Sequence, residues 1–151
     1  MSFLNKLKAL GQQAGKEAQD TWSRYQSGPF ADATMAACAL IAAADGQIDP
    51  QERSRTAQFI TSSEKLRSFN VADLRAKYER YCDALSRDRD FGKIEAMQAV
   101  SKLRDKEDEA RAVLSLALVI ANADGHFDPS EQAAARDIAA ALHLSPAEFG
   151  L

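Results

Sequence analysis

The stretch AAADGQIDPQE at positions 42–52 returns 79 residues later as ANADGHFDPSE at 121–131. Each copy keeps an Asp before Gly, a second Asp before Pro, and a Glu two residues after that Pro. The acids are Asp45, Asp49 and Glu52 in the first copy, and Asp124, Asp128 and Glu131 in the second. This pattern constrains the fold strongly. Gly is the residue that ends a helix in a left-handed conformation. Asp followed by Pro reads as an N-cap with proline at the first helical position. The Glu then falls at N3, completing a capping box with Asp in place of Ser or Thr. The flanks extend the likeness, because MAACALIAAADG aligns with LSLALVIANADG, whereas RTAQFI matches AARDIA only in its apolar pattern. A helix–acidic turn–helix hairpin is therefore expected twice, around 35–61 and 114–140.

Helical spacing dominates elsewhere, with no convincing two-residue alternation. Phe3, Leu4, Leu7, Leu10 and Ala14 form one stripe within 2–25, with Lys6 and Lys8 off it. SGPF at 27–30 breaks the chain and starts a helix running to about Asp45. Further helices are expected from Pro50, over 71–86 behind an Asn70 cap, over 93–103, over 107–123 and over 129–142. A short helical piece is expected at 63–68 and a final turn from Ser145. RDRDFGK reads as punctuation between two helices. The predicted fold is all-α, a single bundle of about seven to eight helices containing an internally duplicated hairpin. Residues 1–28 form an amphipathic helix and linker, and 29–151 form the helical domain.

A chain of 151 residues suits one domain with a real core. The net charge of −3 is unevenly spread. Residues 1–25 carry +2, whereas 105–151 carry nine acids against three bases, −6. That asymmetry suggests faces with different partners and gives no basic footprint for nucleic acid. The two cysteines, Cys38 and Cys82, have no CxxC spacing, and Cys38 reads as a buried inert thiol. This usage fits reducing cytoplasm. No secretory signal and no apolar run of the ~20 residues needed to span a bilayer occurs.

Two readings of the acidic turn stand side by side. In the structural one, Asp49 and Glu52 cap a helix, Gly46 ends the previous one, and Ile48 and Phe127 plug the corner into the core. It explains Asp45 and Asp124 poorly, because an acid at the negative end of a helix dipole is unfavourable by up to about 1 kcal/mol. A turn N–H or a bound cation would compensate. In the second reading, three carboxylates within eight residues offer oxygens to a hard cation, Ca²⁺ or Mg²⁺. The carbonyl of Gln47 or His126 and waters would complete the shell. The spacing is not that of an EF-hand, so the site would be weaker or wetter. His126 has Gln47 as its counterpart and reads as a solvated turn residue, and His143 as a cationic partner of a helix C-terminus. Trp22 and Tyr25 read as core anchors, with stacking on a partner as the alternative. No GxSxG, glycine-rich phosphate loop or Cys–His arrangement points to catalysis, and no organic cofactor is implied.

The doubled ADGxΦDPxE turn, FGKIEAM at 91–97, MSFLNKLKAL at the start and LSPAEFGL at the end together resemble the TerB family of tellurite-resistance proteins. The likeness covers essentially the whole chain. It implies an internally duplicated all-helical domain in a chemical-stress resistance system, with no established enzyme chemistry. It implies that Asp45, Asp49, Glu52, Asp124, Asp128 and Glu131 bind a divalent metal, with Lys93 and Glu95 as a companion motif. It also implies partners among other tellurite-resistance proteins, including a membrane protein and calcium-binding stress proteins. A cytoplasmic adaptor at the inner face of the membrane fits those partners. The alternative is a purely structural helical adaptor whose acidic face docks a basic partner without metal.

The stripe in residues 2–17 packs on the bundle or lies in a membrane interface as an amphipathic helix. A membrane role requires that deletion of residues 1–17 weakens binding to lipid vesicles; unchanged binding removes it.

Overall fold

Helix α1, Gly28–Ala42, has 11 of its 15 residues buried, so it is apolar all round rather than along one stripe. Such a helix has to sit inside other elements. In the computed structural model, which describes residues 28–66, 68–123, 125 and 127–151, it is the central rod of the fold. The other helices are α2 (Pro50–Ser62), α3 (Val71–Arg87), α4 (Arg89–Ser101), α5 (Glu107–Ala121) and α6 (Pro129–Ala141), of which α2 packs chiefly on α3 and α5 rather than on α1. Short 3₁₀ turns occupy Glu64–Leu66 and Pro146–Phe149. Helices α3, α4 and α5 pack on α1 most extensively, and α6 less so. Buried Ala31, Ala33, Ala36, Ala37 and Ala39 let neighbours approach on several sides. The one buried hydroxyl on α1, Thr34 Oγ1, donates to Phe30 O at 2.9 Å. Phe30 stacks on Phe69 with 6.1 Å between ring centroids, tying the start of α1 to the segment before α3.

The described residues are all-helical, as the sequence predicts, with six α-helices and two 3₁₀ turns. The expected N-terminal helix, with its Phe3–Leu10 stripe, Trp22 and Tyr25, lies outside the described residues. No helix among the described residues is long and apolar enough to cross a membrane. Most boundaries fall within a few residues of expectation, but RDRDFGK differs. The sequence places a loop there, whereas the break is the single residue Asp88. Its N–H donates to Ala84 O at 3.1 Å, closing α3. Its Oδ1 accepts from Phe91 N at 3.1 Å, opening α4. One acid capping two helices removes any need for a linker.

Gly92 then lies inside α4, not in a turn. A Cβ built there would stand 2.7 Å from Leu85 N and 2.8 Å from Ala84 O. The missing side chain is what lets the first turn of α4 touch the backbone of α3.

The C-terminal end is held by ordinary helix-end chemistry. Leu144 N donates to Ala139 O at 2.9 Å and His143 N to Ala140 O at 3.1 Å. This is a Schellman motif, with His143 at φ +57° in the position that glycine favours. Leu144 and Phe149 are buried. The Arg111 guanidinium lies 5.1 Å from the Phe149 ring centroid and 2.6 Å from Glu148 Oε2, fixing the last turn on α5. LSPAEFGL is thus a docking clasp for the chain end.

Two stability changes follow. Gly92→Ala forces α3 and α4 apart and lowers unfolding free energy by about 1–3 kcal/mol in urea denaturation. His143→Gly relieves a left-handed non-glycine residue and raises the midpoint, a gain of up to ~1 kcal/mol.

Candidate functional site

At the first corner the chain tightens past Ala42. Ala44 N donates to Ile41 O at 3.2 Å and Gly46 N to Ala43 O at 3.0 Å. Gly46 adopts φ +100°, the left-handed residue the sequence calls for. Asp45 lies beyond the last helical residue, and its Oδ1 accepts from Gln47 N at 3.1 Å. A turn N–H therefore compensates the acid that the helix dipole disfavours. Asp49 caps α2, with Oδ1 accepting from Gln51 N at 2.8 Å, so the cap bond falls at N2. Ile48 packs half-buried against the core, and Glu52 sits in the first turn of α2.

Arg53, next to Glu52, was not singled out by the sequence and does more than cap. Its Nη2 stands 2.7 Å from both Glu79 Oε2 and Asp83 Oδ1, and its Nε donates to Glu79 Oε2 at 3.1 Å. This fork fastens the first turn of α2, and with it the acidic corner, to α3. No spacing in the sequence pairs residue 53 with residues 79 and 83, because the contact is purely tertiary.

At the second corner Gly125 has φ +78°. Asp128 Oδ1 accepts from Glu131 N at 2.8 Å, and Glu131 Oε1 accepts from Asp128 N at 3.3 Å, a complete capping box. Glu131 is 7% exposed, an acid drawn inward by its cap. Gln132 Nε2 donates to Phe127 O at 3.2 Å, and the Phe127 ring is buried as expected. Asp124 and His126 lie outside the described residues.

Among the described residues no three His, Cys, Asp or Glu side chains gather closely enough to hold a metal ion. Asp45, Asp49, Asp128 and Glu131 each accept from a main-chain N–H. The described carboxylates fit the work of holding helix ends and do not by themselves make an ion cage.

The companion motif separates in space. Lys93 lines a cleft of about 240 Å³ bounded by the end of α1, by α4 and by α6, whereas half-buried Glu95 does not line it. Arg89 and Asp137 join Lys93 there. Arg89 and Lys93 are four apart on α4, a pairing hidden in the sequence because RDRDFGK reads there as a break and the helix is expected only from 93. Their meeting with Asp137 on α6 is no more legible.

Burial sets the chemistry of both cysteines. Cys38 and Cys82 are buried and unpaired with each other as a disulfide. Burial pushes the Cys38 thiol well up, helped by the neighbouring Cys82, and pushes Cys82 up to about 12. The folded protein then keeps both thiols protonated at pH 8, where reaction needs thiolate. Iodoacetamide at that pH is expected to label neither cysteine until denaturant is added. A raised folded pKa also means that the unfolded state loses its protons first. Stability is then full below the ordinary thiol value of 9.0 and falls as pH rises from there towards 12, which alkaline unfolding curves check.

The family model described as tellurite resistance protein TerB matches residues 31–151. A curated relative, the tellurium resistance protein TerB of Alcaligenes sp, is 28% identical over 118 residues, covering 78% of this chain and 97% of that protein. No solved structure matches the chain. The family match takes in both acidic corners, the FGKIEAM helix and the C-terminal clasp, and on that extent the chain belongs to the TerB family of tellurite-resistance proteins.

Proposed function

We propose that this TerB protein is a non-enzymatic adaptor in tellurite resistance, built as a doubled hairpin whose acidic corners dock a cationic partner surface. The partners are other proteins of the resistance system, a membrane protein and calcium-binding stress proteins among them, met in the cytoplasm at the inner face of the membrane. One observation carries this reading. Asp45 and Asp49 are exposed on a tight corner, with one oxygen of each on a main-chain amide. Their charge is therefore presented outward, which suits electrostatic docking. The excess of acid over base in residues 105–151 supports the same view.

A second reading gives the corners a divalent cation, Ca²⁺ or Mg²⁺, held by Asp45, Asp49 and Glu52 and by Asp124, Asp128 and Glu131. What favours it is that the cap and turn bonds of Asp45 and Asp49 engage only Oδ1, so Oδ2 of each carboxylate can face an ion.

The double substitution Asp49→Asn with Asp128→Asn separates the two. Asn caps about as well as Asp, so thermal stability should stay nearly unchanged. The docking reading expects partner capture that weakens with salt, weakens again in the double variant, and ignores chelator. The cation reading expects calorimetric heat and a thermal shift with millimolar CaCl₂ or MgCl₂ in the wild type, both absent from the variant. Salt-independent capture together with no response to cation would sink both.

A further inference from the structure

The cleft between α4 and α6 pairs two features that the corner chemistry does not use. Its floor is apolar, with Leu40, Leu85, Met97 and Ile138 among its lining. On its wall are two cations one helical turn apart, Arg89 and Lys93, and neither forms an ion pair among the described residues. Like charges at i and i+4 repel, which works against α4. Asp137 lines the cleft from α6, yet it too forms no ion pair within the described residues. Arg89 is also placed by its surroundings. A Cβ on Gly46 would stand 3.0 Å from Arg89 Nη1, so the guanidinium lies against the first corner.

An anion set between Arg89 and Lys93 would relieve their repulsion and gain charge-assisted hydrogen bonds. An apolar body on that anion would cover the floor and gain the burial of its methylenes. The volume of about 240 Å³ is below the roughly 300–1,000 Å³ of drug-sized sites, so the occupant is small. The geometry points to a binding site for a small carboxylate with a short apolar body, its carboxylate on Arg89 and Lys93 and its chain on Leu40, Met97 and Ile138. That chemistry comes from two sources, a free aliphatic acid or the C-terminal residue of a partner chain. The cleft adjoins both corners, being lined by Ala43 and Ala44 just before the first and by Ser130 just after the second, but its two cations are not corner residues.

The test is a titration of the full chain followed by calorimetry and by the methyl signals of Leu40, Met97 and Ile138. The probes are sodium hexanoate, N-acetyl-leucine and hexylammonium chloride. Hexanoate should bind saturably at one site in the millimolar range, moving those methyls, whereas hexylammonium should not saturate. Lys93→Met, at an exposed position, should weaken hexanoate about tenfold or more with the fold intact. Ala133→Phe, at an exposed position on the rim, should block the cleft without changing charge. N-acetyl-leucine binding about tenfold tighter than hexanoate assigns the site to a chain end, and equal or weaker binding assigns it to a free acid. Shifts scattered over the surface, equal response to hexylammonium, or hexanoate binding untouched by Lys93→Met would overturn the site.

Discussion

Burial of α1 on nearly every side is the constraint from which the remaining architecture follows. A helix with Phe30, Met35, Cys38, Leu40 and Ile41 all withdrawn from water cannot lie on a surface. It needs a ring of partners, and α3, α4 and α5 supply it. Alanine sets how close they come, and close packing leaves little room for error at each contact. Gly92 is the extreme case, where α4 meets the α3 backbone with no side chain between them. The acidic corners follow α1 and α5, and Ala43 and Ala44 beside the first line one cleft with Ser130 beside the second.

Among the described residues, three of the four side-chain N-caps are acids, Asn70 being the fourth. Asp49, Asp88 and Asp128 each accept a main-chain N–H at the positive end of a helix, where a carboxylate is favoured. Asp45 is at the opposite kind of end and is made tolerable by the Gln47 N–H. Carboxylates that look surplus in the sequence are thus partly absorbed by backbone donors. This weakens the argument that crowding alone requires an ion. It leaves outward-facing charge as what the corners present to solvent.

The corners were legible because capping chemistry is local. An Asp, a Pro and a Glu at fixed offsets give N-cap, N1 and N3 at both corners; Asp128 with Glu131 closes the capping box that spacing predicts, whereas Asp49 takes its bond from Gln51 N at N2. Gly46 and Gly125 take the left-handed conformation for the same reason. RDRDFGK was misread because its two meanings share one composition. Charged residues beside glycine suggest a loop, but Asp88 caps two helices at once and Gly92 serves a close approach inside α4. The Arg53 fork and the cleft were invisible for another reason. Each joins residues from helices whose mutual placement no periodicity specifies.

Gly46 links the two regions that carry functional proposals. Its φ of +100° is needed to turn the chain out of α1. Its Cα also lies against the Arg89 guanidinium, which a Cβ would press on at 3.0 Å. A side chain at 46 would strain the corner and nudge a cation of the cleft in one step, so its effects could not be apportioned between them. The acids are separable in a way the glycine is not. Asp49→Asn keeps a helix cap and removes charge from the corner, and Lys93→Met keeps an apolar stem and removes charge from the cleft. Corner and cleft share a scaffold residue but present opposite charge through different side chains. A partner reading one and a ligand reading the other can therefore be told apart by the sign of the charge each needs.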